Sequence, residues 1–287
     1  MIGPAGADFL ATMARSSAAR VAAARATEGD AALERRALAA APAPRLALSA
    51  TGFDLIAELK LRSPAQGLLG AAGEDLEARV AAYARGGAAI VSVLTEPARF
   101  DGSLAQLARA AAVLAPLGVP ALRKDFLVDD YQLYEARAVG AGGVLLIVRM
   151  LPRARLEALL DCAARLGLFV LLEAFDAADA ATAGELARAW RGRRDDCLVG
   201  VNSRDLATLE VVPGRLESLL PALPPGLPRV AESGLTTAVD AARLARAGYS
   251  LILVGTALMG AADPGALVRQ MLASGRGAAA TARATRA

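Results

Sequence analysis

The residues able to do chemistry in this chain sit at the ends of short apolar runs. One run closes with Ala57-Glu58-Leu59-Lys60, where Glu58 and Lys60 are two apart and project to the same face of an extended strand. Other runs end in Lys124, in Glu173, in Asn202 followed by Arg204, and in Glu232. A carboxylate and an ammonium inside an apolar setting must pair or serve a ligand, because a lone buried charge is too costly. Together they offer acid/base chemistry on an anionic substrate. The alternatives are a solvated surface lysine at Lys124, or an ion-pair layer that merely plugs the core. Recurrence at the same structural position argues against both.

The chemistry is further limited by what the sequence lacks. It contains 0 histidines, which removes a Ser-His-Asp triad, a histidine metal site and an imidazole acid/base. Proton transfer must then fall to Lys, Glu, Asp, Tyr or Cys with a tuned pKa, and a lysine that is desolvated or near other cations is expected to have a lowered one. Cys162 and Cys197 form no metal-ligand spacing and read as buried free thiols in a reducing compartment. No metal and no cofactor is expected. With 32 basic and 29 acidic residues the net charge is +3, too balanced for a nucleic-acid surface but compatible with a phosphorylated small molecule. No signal-peptide pattern opens the chain, and no run approaches the roughly 20 apolar residues of a membrane span. A cytoplasmic protein without membrane or nucleic-acid partners is expected, as a monomer or weak homodimer.

The elements that must position these residues repeat regularly. From Phe53 onward, strands are expected at Phe53 to Leu59, Ala89 to Leu94, Val119 to Leu122, Gly143 to Val148, Phe169 to Glu173, Leu198 to Val201, Arg229 to Ala231 and Leu251 to Val254. Helices are expected at Glu74 to Arg85, Leu104 to Leu114, Asp129 to Val139, Pro152 to Leu166, Ala177 to Trp190, Arg215 to Leu220, Thr237 to Ala247 and Pro264 to Leu272. Continuous Val/Ile/Leu runs mark strands covered on both faces, as parallel sheets require. Eight strand–helix units predict an α/β fold, the (β/α)8 TIM barrel, over residues 51–274. An Ala/Arg-rich helical extension should occupy 1–50, and the low-complexity stretch 275–287 should be disordered. In such a barrel the strand ends named above converge on one mouth. Ser233-Gly234 and Gly255-Thr256 follow the last two strands, where backbone N–H groups of barrels commonly hold a phosphate. Ser63 and Gly67, in the loop after the first strand, are placed to close over a substrate.

These segments also carry a resemblance. ELKLRSPAQG, SVLTEPARFDGS, ALRKDFLVDDYQLYEARAVGAGGVLLI, VGVNSRDL, AESG and LVGTALM follow in order the signature segments of the indole-3-glycerol phosphate synthase family, across roughly Phe53 to Ala273. The resemblance implies a (β/α)8 barrel of tryptophan biosynthesis with an N-terminal helical segment. It also implies ring closure of 1-(2-carboxyphenylamino)-1-deoxyribulose 5-phosphate to indole-3-glycerol phosphate, with loss of CO₂ and water and without a cofactor. Carried over by motif, Lys124 would be the general acid and Lys60 would bind the carboxylate and share proton transfer. Glu173 would be the general base or stabilise charge on the anilino nitrogen. Glu58 and Asn202 would position these groups, and Glu232 would assist at the ring-closure centre. Phe126 would line the anthranilate pocket and Arg204 the substrate region. Ser63, Ser233, Gly234, Gly255 and Thr256 would hold the phosphate. The sequence departs from the family pattern at Phe175 (usually histidine), Ser203 (asparagine), Gln66 (lysine) and Thr256 (serine or glutamate). Competing readings are a non-catalytic phosphate-binding barrel and a sister isomerase. The first leaves the buried charges without a purpose, and the second lacks its cysteine–aspartate pair at the matching strand ends.

Overall fold

The computed structural model describes residues 4–63, 67–69, 75–190, 192 and 196–285 (backbone alone at 4–8 and 63). Eight strands are β1 Asp54–Leu59, β2 Ile90–Leu94, β3 Ala121–Lys124, β4 Gly143–Ile147, β5 Phe169–Ala174, β6 Cys197–Asn202, β7 Arg229–Glu232 and β8 Leu251–Val254. Each pairs in parallel with its sequence neighbours, and β1 pairs with β8, so the sheet closes on itself. This is the expected (β/α)8 barrel. The strands are buried almost without a break because helices cover the outer face while side chains fill the inner one. Ile56, Ile90, Leu122, Leu145, Leu171, Leu198, Val230 and Leu251 form the inner cluster.

Besides two short helices, Pro97–Phe100 and Thr256–Gly260, the helices used below are α1 Pro4–Thr27, α2 Asp30–Ala39, α3 Leu76–Arg85, α4 Leu104–Leu114, α5 Asp130–Ala138, α6 Arg153–Leu166, α7 Ala177–Ala189, α8 Arg215–Leu219, α9 Ala238–Ala247 and α10 Pro264–Ala284. Most expected boundaries move by one or two residues, for a shared reason: a cap residue has non-helical dihedrals and stands just outside. Asp129 caps α5 by accepting from Tyr131 N–H, Pro152 precedes α6, and Thr237 caps α9 in a reciprocal box with Asp240. Helix α3 starts at Leu76 with Asp75 as its cap, and Glu74, expected as its first residue, lies outside the described residues.

Two differences are larger. β3 extends to Lys124 rather than stopping at Leu122, because Leu94 and Lys124 are register partners across β2 and β3. Lys124 is therefore held by the barrel ladder, not by a free turn. The stretch 275–287, expected to be disordered, instead continues α10 to Ala284. Its composition is poor in large apolar residues, but it has a partner. Gly275 packs against the Phe53 ring so tightly that a Cβ there would collide with it. Arg276 reaches the Phe53 carbonyl at 3.1 Å and Asp54 at 2.9 Å, and Ala278 and Ala279 are buried. Small residues let this helix approach closely and close the bottom of β1.

The N-terminal extension reaches the opposite end of the barrel. Leu10 and Met13 of α1 join the inner cluster. Ser17 donates to the Phe126 carbonyl at 2.5 Å and accepts from Gln132 Nε2 at 2.8 Å. Arg20 grips both oxygens of Asp125, at 3.0 and 2.8 Å. α1 is thereby fastened to the segment just past Lys124.

Candidate active site

At the carboxyl ends of the strands lies a cavity of about 260 Å³. Its lining includes every site residue expected from the sequence except Ser63, whose side chain lies outside the described residues. Gln66 lies outside them as well.

The charged floor is built from alternate strands. Lys124 Nζ, from β3, is 3.2 Å from Glu173 Oε1 of β5 and 3.6 Å from Glu232 Oε2 of β7. Lys60 Nζ, just past β1, is 3.0 Å from Glu58 Oε1 on the same strand face. Asn202, at the end of β6, donates from Nδ2 to Glu173 Oε1 at 2.8 Å, and its Oδ1 accepts the Arg204 N–H at 2.9 Å. The Arg204 guanidinium itself donates to the Leu209 carbonyl, which folds the loop after β6 over the cavity edge. Ser203 ties two strand ends together, donating to the Glu232 and Ser233 carbonyls at 3.1 Å each. Ser233 and Gly234 both have positive φ, 71° and 73°, so the chain turns sharply and its backbone faces the cavity.

Burial and proximity set the charges of this floor. Burial opposes the charge on Lys124, yet Glu173, Glu232 and Glu58 together outweigh it and hold the ammonium above the ordinary lysine range. This corrects the expectation of a lowered value: the neighbours of the lysine are carboxylates rather than cations. Burial likewise raises Glu58, but Lys60 and then Lys124 overcome it and bring the carboxyl below its ordinary range. Glu232 goes the other way, pushed well up by burial and then by the charge of Glu173, with Lys124 only partly compensating.

Above the charged floor the walls are apolar. Phe126 stands edge-on to Phe9 of α1 at 5.9 Å and tilted against Phe100 at 6.5 Å. Phe175 continues this wall, with the Arg149 guanidinium 5.1 Å from its ring centre on the far side. Arg149 is anchored in turn by Asp176 and Asp179, both at 2.5 Å. Sequence reading found Phe126 and Phe175 but not Phe9 or Phe100. Phe9 lies in the separate extension, and Phe100 sits on a one-turn helix whose cap, Glu96, is itself buried. One signal in the sequence went unused: its only lysines are Lys60 and Lys124, and its only asparagine is Asn202, among 287 residues. Where a cation only needs to be solvated or paired, this chain uses arginine. An amine kept in two places marks chemistry a guanidinium cannot do.

A closed parallel barrel carrying a cluster of lysines and carboxylates and a sharp backbone turn at its carboxyl mouth defines a (β/α)8 barrel with its candidate active site where such enzymes place theirs. Solved structures share the fold. A thiamine phosphate pyrophosphorylase from Pyrococcus furiosus superposes with TM-score 0.57 at 16% identity over 79% of this chain and 98% of the other. The family follows from sequence. The family model described as indole-3-glycerol phosphate synthase matches residues 10–271, and the chain belongs to that family. Indole-3-glycerol phosphate synthase of Kineococcus radiotolerans is 44% identical over 78% of this chain and 77% of its own length. Indole-3-glycerol phosphate synthase 1 of Streptomyces coelicolor is 42% identical over 85% and 87%. Among the described residues no helix is long and apolar enough to cross a membrane.

Proposed function

We propose that this chain converts 1-(2-carboxyphenylamino)-1-deoxyribulose 5-phosphate into indole-3-glycerol phosphate, CO₂ and water. The observation that carries this reading is the Lys124 ammonium, bracketed by Glu173 and Glu232 in a cavity whose one wall is aromatic. Such a cavity separates the substrate by chemistry. The anthranilate ring goes to Phe126, Phe9, Phe100 and Phe175. The ketone goes to Lys124, the carboxylate to Lys60, and the phosphate to the turns at Ser233-Gly234 and Gly255-Thr256, with Ser63 closing from the loop after β1. Arg204 lines the entrance from the β6 side.

Lys124 protonates the carbonyl oxygen as the ring carbon attacks it. A general acid beside the developing charge is worth about 10² to 10⁴ in rate. The cation that ring closure leaves on the anilino nitrogen then draws the electrons out of the departing CO₂, so the substrate supplies its own electron sink. Glu173 faces that cation and takes up the methylene proton that restores the aromatic five-membered ring. Glu58 holds Lys60 in place, and Asn202 holds Glu173. The protein acts in the cytoplasm as a monomer or weak homodimer. In support of that, the exposed large apolar side chains among the described residues (Leu38, Leu68, Leu117, Val211, Val239) lie on separate elements.

The test is turnover followed by indole fluorescence, with wild type beside Lys124→Ala. Indole signal from wild type and a loss of about 10² or more in the variant support both reaction and role. Turnover by an active Lys124→Ala moves the acid to Lys60. A wild type that binds the substrate tightly and never turns it over removes the reading.

A further inference from the structure

Resting on the placement of the substrate phosphate at the Ser233-Gly234 turn, we propose that Ser203 is a positioning residue for that phosphate. Its hydroxyl, reaching across from the end of β6, keeps two successive peptides after β7 turned with their N–H groups towards the cavity.

The backbone of the turn needs holding. Ser233 and Gly234 have φ of 71° and 73°, and Ser233 is one of three non-glycine residues with positive φ among the described residues. An L side chain stays in that region only where its surroundings keep it there. Gly234 is required by its φ and by space, since a Cβ on it would stand 2.7 Å from Val211 Cγ1. Among the described residues the N–H groups of Ser233, Gly234 and Leu235 meet no backbone carbonyl. Consecutive N–H groups left over on such a turn make a concave site for an anion.

The group that holds the turn is Ser203. Its Oγ lies 3.1 Å from the Glu232 carbonyl and 3.1 Å from the Ser233 carbonyl, sharing one proton between them. Its own N–H donates to the Glu232 carbonyl at 3.0 Å. Ser203 is 2% exposed and stands behind the cavity wall, whereas Ser233, Gly234 and Leu235 line the cavity. These peptides are trans, so the C=O and N–H of each point in opposite directions. Carbonyls drawn back to Ser203 therefore send the N–H groups of the same two peptides, those of Ser233 and Gly234, forward into the cavity. The loop after β6 fixes Ser203 in turn, through the Val212 N–H, which donates to the Ser203 carbonyl at 2.8 Å.

The two carbonyls depend unequally on the hydroxyl. Glu232 keeps the Ser203 N–H when the hydroxyl is removed. The Ser233 carbonyl has no other donor among the described residues. Without the hydroxyl, the peptide between Ser233 and Gly234 is free to turn over and aim its carbonyl oxygen at the phosphate in place of its N–H. The effect falls on substrate affinity and leaves the chemical step alone, because Ser203 does not line the cavity.

Three measurements on the full chain test this, with Ser203→Ala beside wild type. Inorganic phosphate is titrated by calorimetry, steady-state kinetics give kcat and KM, and the dephosphorylated substrate is run as a competitive inhibitor. Loss of the hydrogen bond should weaken phosphate binding about tenfold and raise KM by a similar factor, with kcat within about twofold and inhibition by the dephosphorylated substrate unchanged. Equal phosphate affinity in the two proteins overturns the proposal. So does a fall in kcat at constant KM, or an equal loss of affinity for the dephosphorylated substrate, which would mark a general structural role. Wild type that binds phosphate without turning the substrate over removes the functional reading alone, and the role of Ser203 is then decided by phosphate affinity. Wild type that binds no phosphate removes the turn as its site, and the proposal with it.

Discussion

At the scale of single residues, the site works by setting neighbouring groups to opposite protonation states. Lys124 is held charged and Glu58 is held ionised, while Glu232 is pushed towards its neutral form. Because Lys60 and Lys124 are the only lysines, reductive ¹³C-methylation labels them with the N-terminus and nothing else. We expect the Lys124 methyl signal not to titrate within the ordinary lysine range, since its carboxylate neighbours hold the proton beyond it. A midpoint at or below that range would contradict the structure. Glu232 gives a stability prediction of defined sign. A carboxyl raised on folding is protonated in the native chain and ionised in the unfolded one above the ordinary glutamate pKa. Stability is then lost as pH rises from there towards the folded value. Glu232→Gln removes that loss, so its unfolding midpoint should exceed that of wild type near pH 8 and converge with it near pH 4 in thermal scans.

At the scale of elements, α1 and α10 matter more than their composition suggests. α1 contributes Phe9 to the cavity wall and, through Arg20 and Ser17, grips Asp125 and Phe126, the two residues that follow Lys124. Arg20→Ala leaves the buried Asp125 with Arg123, Thr95 and the Phe126 N–H and without its bidentate guanidinium. We expect a stability loss of about 3 kcal/mol, the scale for breaking a buried pair, read by urea denaturation. A rise in KM for the substrate should accompany it, because Asp125, the neighbour of Phe126 in the cavity wall, loses its tie to α1. α10 is predicted to be structural. Ending the chain at Ala273 removes Gly275, Arg276, Ala278 and Ala279 from their contacts and should lower the unfolding midpoint by roughly 5 °C in a thermal scan. An unchanged midpoint would mean that the helical tail contributes nothing.

At the scale of the whole molecule, closure of the sheet is what turns scattered residues into a site. Glu58, Lys124, Glu173, Asn202 and Glu232 span 175 positions in the chain, yet register pairs such as Ile147 with Glu173 and Asn202 with Glu232 bring them to one mouth. A site assembled in this way has the turns proposed to hold phosphate and its charged floor on one frame. Inorganic phosphate should therefore compete with substrate, raising the apparent KM without changing kcat in steady-state kinetics.

The number of strand–helix units, the parallel sheet and the candidate residues of the floor were legible in the sequence. They follow from local causes: apolar runs of strand length, and charges that have no reason to end such runs unless they face a ligand. Helix boundaries were less legible, because a cap such as Asp129 carries the composition of the helix it precedes. Three things were decided only by tertiary structure. The order of the tail depended on Phe53 and Asp54, more than 200 positions away, which give a weak sequence something to pack on. The share of α1 in the cavity depended on where the extension crosses the barrel mouth. The protonation states depended on which charges become neighbours: Lys124 was expected to be depressed and is raised, because what surrounds it is carboxylate. Periodicity and residue type are properties of the chain, whereas distance, burial and field exist only once the barrel has closed.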